Sequence, residues 1–165
     1  MSKAIKKYSG ITLIEVLVYM ALFGVVFALV VGVLIQTREQ NRRARDSIKI
    51  EQNMMFIDEH INMVFNDVDS INAAGSVFDN DTGTLQLTLN DASTVEYERV
   101  GGTLNFTRDS TTSPLSNNAV TVSQFRIEQV LDEDSNLIGV RVSCEVNSQF
   151  DSDNSKSWSN LYYIQ

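Results

Sequence analysis

Ser9-Gly10-Ile11-Thr12-Leu13-Ile14-Glu15 opens an apolar run that continues to Ile35. From Ile11 the run is 25 residues long, and Glu15 is its only formal charge. About 20 apolar residues in a helix span a bilayer core of ~30 Å, so this stretch can cross a membrane. A carboxylate at membrane depth costs roughly 2.5–3.5 kcal/mol on insertion scales, which marks Glu15 as a residue with a use. Ahead of the run lies a short basic leader, Met1 to Gly10, carrying Lys3, Lys6 and Lys7. An ordinary secretory signal has a shorter apolar core, followed by a small-residue cleavage site. This run is too long, and no Ala-x-Ala-like site follows it. A plain single-pass anchor has the right length but no need of Glu15.

The combination resembles the class III signal of bacterial type IV prepilins and the related pseudopilins. Its elements are the basic leader, Gly10, Glu15 at a fixed distance and the long apolar run. The resemblance implies cleavage by a prepilin peptidase between Gly10 and Ile11, N-methylation of the new N-terminus at Ile11, and Glu15 as the fifth residue of the mature chain. It further implies that Glu15 serves assembly, facing the charged N-terminus of a neighbouring subunit in a filament core. The family often has Phe where this chain has Ile11, although aliphatic residues also occur there. A glycine and often a proline stand in the family where the helix loosens on assembly. Gly24 fits the glycine and Gly32 stands at the place of the proline, so local melting is a weaker expectation here.

The formal net charge of −8 is unevenly spread. Losing the three leader lysines would take it to −11. From Asp67 onward there are fifteen acidic and five basic residues, whereas Arg38 to Lys49 holds five basic and two acidic ones. The acidic outer part argues against broad nucleic-acid binding and leaves a local DNA contact open. Lysine and arginine counts near the span ends favour a cytoplasmic C-terminal side. The resemblance implies the reverse, with the leader in the cytoplasm and the C-terminal domain outside, and that is the orientation expected here. The single cysteine, Cys144, permits no intramolecular disulfide. Many major type IV pilins resemble one another in a C-terminal disulfide loop, which this chain cannot form. Cys144 sits in an alternating apolar pattern and reads as a buried thiol.

Beyond Ile35 the chain stays helix-like and becomes amphipathic. Ile50, Met54, Ile57, Ile61, Val64 and Val68 recur at 4-3-4-3-4 spacing, which predicts one apolar helix face, with the helix running to about Phe65. From Ala73 short alternating segments take over. Leu85, Leu87 and Leu89 predict a half-buried strand. Val95 and Tyr97, then Gly101-Gly102, then Leu104 and Phe106 predict a hairpin. Val120 and Val122 begin a strand whose phase shifts before Phe125 and Ile127, so a bulge is expected there. Asp132 to Asn136 reads as a turn, and Ile138, Val140, Val142, Cys144 and Val146 as the clearest strand. Phe150 to Asn160 reads as a polar loop, with Leu161 to Ile164 as a last edge strand or a docked tail.

The expected fold class is therefore α+β: a long N-terminal helix whose amphipathic half packs on an antiparallel β-sheet. This matches the type IV pilin-like ladle that the resemblance implies. The expected divisions are a leader at 1–10, a transmembrane and filament-core helix at 11–35, an amphipathic helix and connection at 36–72, and a β-rich head at 73–165. Val95, Tyr97, Gly101, Gly102, Leu104, Arg108, Pro114, Leu115, Val140 and Val142 together resemble the pattern of J-type pseudopilins and W-type minor pilins.

Three Asp/Asn-rich stretches could offer oxygen ligands to calcium: Asp79-Asn80-Asp81, Asp132-Glu133-Asp134 and Asp151 to Asn154. Asp151 and Asp153 are the candidates if calcium binds, but none of the three matches an EF-hand loop, and turns favour the same residues. The only histidine, His60, has no partner at readable spacing and reads as a helix-surface residue. No nucleophile elbow, phosphate-binding glycine loop or zinc spacing is present. Tyr97, Phe106, Phe125 and Trp158 read as core or rim residues.

The expectation is a non-enzymatic filament subunit without a cofactor or small-molecule substrate. By resemblance it is a minor pilin or pseudopilin of a type IV pilus or type II secretion-like filament, held in the bacterial inner membrane and placed at or near the filament tip. Its expected partners are prepilin peptidase, other pilin or pseudopilin subunits and the inner-membrane assembly platform. A major pilin, a competence pilus subunit and a non-polymerising membrane-anchored binding domain are the alternatives.

Overall fold

The computed structural model describes residues 12–149 and 154–164. Among these residues, one helix, α1 (Leu13–Phe65), precedes eight strands. The strands are β1 (Val68–Ile71), β2 (Thr84–Leu89), β3 (Thr94–Val100), β4 (Thr103–Arg108), β5 (Thr111–Pro114), β6 (Val120–Leu131), β7 (Leu137–Ser148) and β8 (Ser155–Tyr163). The chain divides into two compact units, Met1–Arg42 and Arg43–Gln165.

In the first unit α1 is helical throughout, passing Gly24 and Gly32 without interruption. No proline lies in it, and its leucines, valines and phenylalanines carry no polar group that could compete with the backbone. The large apolar side chains from Leu13 to Ile35 are exposed. α1 is long and apolar enough to cross a membrane.

In the second unit α1 becomes a packed helix. Its buried residues are Asp46, Ile50, Asn53, Ile57, Ile61, Val64 and Phe65, which repeat at helical spacing. Ile50, Ile57 and Ile61 are wholly buried, and each such side chain contributes ~1.5–3 kcal/mol. Two expectations shift here. Met54 is only half-buried at the edge of the core, and Asn53 takes the inward place. Val68 is buried but stands on β1, because the helix ends at Phe65 and the chain turns through Asn66 and Asp67. The Asp67 carbonyl accepts the Asn90 N–H at 2.9 Å, which ties that turn to the sheet.

The strands form two antiparallel sheets rather than one, in the orders β1-β2-β3-β4-β5 and β6-β7-β8. The larger sheet is a meander. Gly101 and Gly102 connect β3 to β4 with φ of 59° and 85°, the left-handed pair that a two-residue hairpin turn requires. Asp109 and Ser110 connect β4 to β5 with φ of 46° and 70°, so the same turn is built without glycine. In the smaller sheet, Val122 pairs with Val146 and Gln124 with Glu145, leaving Ser123 as the extra residue of a bulge. The bulge restores the inward face to Phe125 and Ile127, both fully buried.

β6 is joined to the other sheet through backbone. Val122 N–H donates to Gly102 O at 2.8 Å, Gly83 N–H to Phe125 O at 2.8 Å, and Phe125 N–H to Asp81 O at 2.9 Å. β8 is the outer strand of the smaller sheet. It corrects the expected loop up to Asn160: residues 155–160 pair in full register with β7. Ile138 also differs from expectation, lying 36% exposed near one end of β7 while Val140, Val142, Cys144 and Val146 are buried. One hydrophobic core unites the buried face of α1 with both sheets.

Candidate functional site: the N-terminal turn and the helix–sheet seams

Thr12 caps α1. Its carbonyl accepts the Glu15 N–H at 3.0 Å, and its Oγ1 lies 3.4 Å from the same nitrogen. Thr-x-x-Glu is the spacing of a capping box, in which the glutamate reaches back to the cap. Here Glu15 reaches forward instead. Tyr19, one turn on, donates its hydroxyl to Glu15 Oε1 at 3.2 Å. The carboxylate is thus exposed in the first turn with one neutral donor among the described residues. A carboxylate accepts several hydrogen bonds, so it retains capacity for a cationic partner. Gly10 and Ile11, the expected cleavage and methylation residues, lie outside the described residues, as do Asp151 and Asp153.

The other two acidic stretches are engaged within the fold. Asp81 Oδ1 accepts Gln124 Nε2 at 2.9 Å and Arg126 Nη1 at 3.3 Å. Asp132 Oδ1 accepts the backbone N–H of Asp134 at 3.0 Å and of Asn136 at 2.7 Å, closing the turn between β6 and β7. Side-chain and backbone hydrogen bonds from Asn136 hold the Asp132 carboxyl below its ordinary value. Among the described residues, no three acidic, histidine or cysteine side chains converge to hold a metal.

The second half of α1 is fastened to the sheets by polar contacts that sequence spacing did not reveal. Asp58 accepts Asn160 Nδ2 at 2.6 Å and the Tyr162 hydroxyl. Lys156 of β8 pairs with Glu51. Asn53 Oδ1 accepts the Asn117 N–H at 3.1 Å, reaching the loop before β6. A cavity of about 240 Å³ opens between Met54, Met55 and Trp158, rimmed by Glu51, Asp58 and Lys156. The Trp158 indole N–H is buried there with no hydrogen-bond partner among the described residues. On the face toward the larger sheet, His60 does have a partner, contrary to expectation: its Nδ1 lies 3.0 Å from the Tyr97 hydroxyl. Tyr97 is 37 residues away in sequence, so no local pattern could have signalled it.

Cys144 is 1% exposed on β7. Burial, reinforced by the Glu145 charge, pushes its thiol up to about 12. Thiolate is the reactive form. In the native chain at pH 7.5, maleimide is expected to label Cys144 at least ~100-fold more slowly than in guanidinium. Equal rates in both states would contradict its buried position.

A family model described as a prokaryotic N-terminal methylation motif matches residues 5–31. No curated protein and no solved structure gives a significant match. The matched stretch contains Gly10, Ile11 and Glu15 together with the apolar first half of α1. The motif and the membrane-length apolar helix fit anchoring in a membrane. The chain thus carries a type IV prepilin-like class III signal ahead of a type IV pilin-like α+β arrangement of one long helix and antiparallel sheets.

Proposed function

We propose that this chain is a minor pilin or pseudopilin subunit of a type IV pilus or type II secretion-like filament. The observation that carries the reading is the methylation motif over residues 5–31, which runs into the first half of α1, where the large apolar side chains from Leu13 to Ile35 are exposed. Residues 1–10 form the leader. Prepilin peptidase removes it after Gly10, and Ile11 becomes the methylated N-terminus. Residues 11–35 anchor the subunit in the inner membrane, with the head outside the cytoplasm, and later join a filament core with other pilin subunits. The acidic sheets, 73–165, are then displayed at or near the filament tip. The lone cysteine supports a minor over a major subunit, and the pattern from Val95 to Val142 supports the J-type and W-type group. The work is assembly, which requires no catalysis by this chain.

The test is the intact mass of the membrane-extracted protein, produced with and without a prepilin peptidase. The expected product begins at Ile11 and carries one added methyl group, only when the peptidase is active. A chain that still begins at Met1 beside active peptidase would overturn the reading. A second reading, a static anchor with the opposite orientation, is favoured by the five basic residues after the span. Protease protection of the head in spheroplasts separates the two, since an outward head is digested and a cytoplasmic one is spared.

A further inference from the structure

His60 is the chain's only histidine, and the assembly reading makes no use of it. Its half-buried ring lies edge-on to Phe106, with centroids 4.6 Å apart, and edge-on to Tyr97 at 5.9 Å. Phe56, one helical turn earlier, lies at 6.2 Å. Tyr97 is fully buried on β3, and His60 is the partner of its hydroxyl among the described residues. A phenolic hydrogen inside an apolar core needs an acceptor. That requirement fixes the bond's direction: Tyr97 donates, His60 Nδ1 accepts, and Nε2 carries the imidazole hydrogen.

We propose that His60 and Tyr97 form an acid-released latch that pins the second half of α1 to the five-stranded sheet. A proton on Nδ1 turns the acceptor into a donor. The Tyr97 oxygen must then accept, and its own hydrogen is left facing the core. The imidazolium is also left half-buried beside three rings, with less water around it than in the unfolded chain.

Among the described residues, no carboxylate is placed to stabilise that charge. On α1, Asp58 is engaged by Asn160 and Tyr162, and Glu59 is exposed to water. On β3, Glu96 and Glu98 point to the face opposite Tyr97, and Arg99 donates to the Val122 carbonyl at 2.6 Å. On β4, Arg108 pairs with Asp91 at 2.8 Å. Tyr162, the other group acting on Tyr97, is pushed upward by burial and stays neutral in acid.

Burial lowers the His60 pKa below its ordinary 6.5. The unfolded chain therefore takes up the proton first. The latch contributes fully above pH 6.5, weakens as pH falls from there through the lower folded value, and contributes no further change below it.

The test uses the full-length chain in detergent micelles. The single histidine is titrated by NMR, and the head's melting is followed by near-UV circular dichroism at pH 7.5 and 5.5. In the native chain the histidine is expected to titrate clearly below 6.5. On acidification the wild type is expected to lose ~3–6 °C more than His60→Gln, which cannot titrate. Tyr97→Phe keeps the burial but removes the hydroxyl, so part of that excess loss disappears. A histidine titrating at or above 6.5, or equal acid losses in wild type and His60→Gln, would overturn the latch. An undiminished excess loss in Tyr97→Phe would overturn it in favour of burial alone. If His60→Gln fails to fold, the native histidine titration and the Tyr97→Phe comparison decide.

Discussion

Glu15→Ala is expected to leave leader removal intact and to reduce the subunit recovered in sheared filaments by about a hundredfold or more. Among the described residues, the Glu15 carboxylate is paired with the Tyr19 hydroxyl, at 3.2 Å. Under the proposed function it gains the ammonium group of a neighbouring Ile11 in a core built from helices. Breaking a buried ion pair by removing one partner costs about 3–5 kcal/mol, because the other charge stays buried and uncompensated. Each ~1.4 kcal/mol is a tenfold change in an equilibrium. The penalty falls only on the assembled state, so membrane levels and the cleaved mass should be unaffected. Tyr19→Phe, which removes only a neutral donor, should lower incorporation by less than about tenfold. Normal incorporation of Glu15→Ala would remove the electrostatic account of assembly.

Much of the fold was legible because local rules and tertiary packing agree along most of the chain. Uninterrupted helix formers to Phe65, period-two alternation in β2 and β7, and the Gly101-Gly102 pair each give the right element from neighbours alone. The phase slip before Phe125 gave the bulge at Ser123 for the same reason. The failures share a different cause. β5 was hidden because Asp109-Ser110 takes a left-handed turn without glycine, and because its residues Thr111 to Pro114 are all exposed and show no alternation. β1 was hidden by Val68, whose spacing continued the helical face although the chain had already turned. The first part of β8, residues 155–160, was hidden because the side chains it turns toward α1 include the polar Lys156 and Asn160. Their polarity reads as loop until Glu51 and Asp58 on α1 are known to face them. At the N-terminal end the signal is local: Glu15 stands out because a charge inside an apolar run is anomalous on its own, and the methylation motif matched over residues 5–31 covers it. His60 could not, since its partner arrives from β3.

That dependence of β8 on α1 makes Gly139 a sensitive position of the smaller sheet. Gly139 is buried on β7 opposite Tyr163 of β8. A Cβ there would run into the Tyr162 carbonyl oxygen and stand 3.1 Å from Tyr163 Cα. Both obstacles are backbone, so no side-chain rotation relieves them. Gly139→Val must therefore displace the end of β8. With it go the Tyr162 hydroxyl on Asp58 and the Tyr162 ring stacked on Phe65, with centroids 5.0 Å apart. Overpacking costs about 1–3 kcal/mol, and orphaning a buried hydrogen-bonding group about 1–3 kcal/mol more. For a unit of this size the melting midpoint should fall by roughly 10 °C or more. The steric cause can be separated from a general loss of packing. In a Tyr162→Phe background the Asp58 bond is already gone, so adding Gly139→Val should cost measurably less than it does alone. Ser159→Val, at an exposed position of the same edge strand, should change the midpoint by no more than about 2 °C. A Gly139→Val chain melting within 2 °C of wild type would mean that β8 can slide along β7 without cost. Its polar straps to α1 would then not be what holds the smaller sheet to the helix.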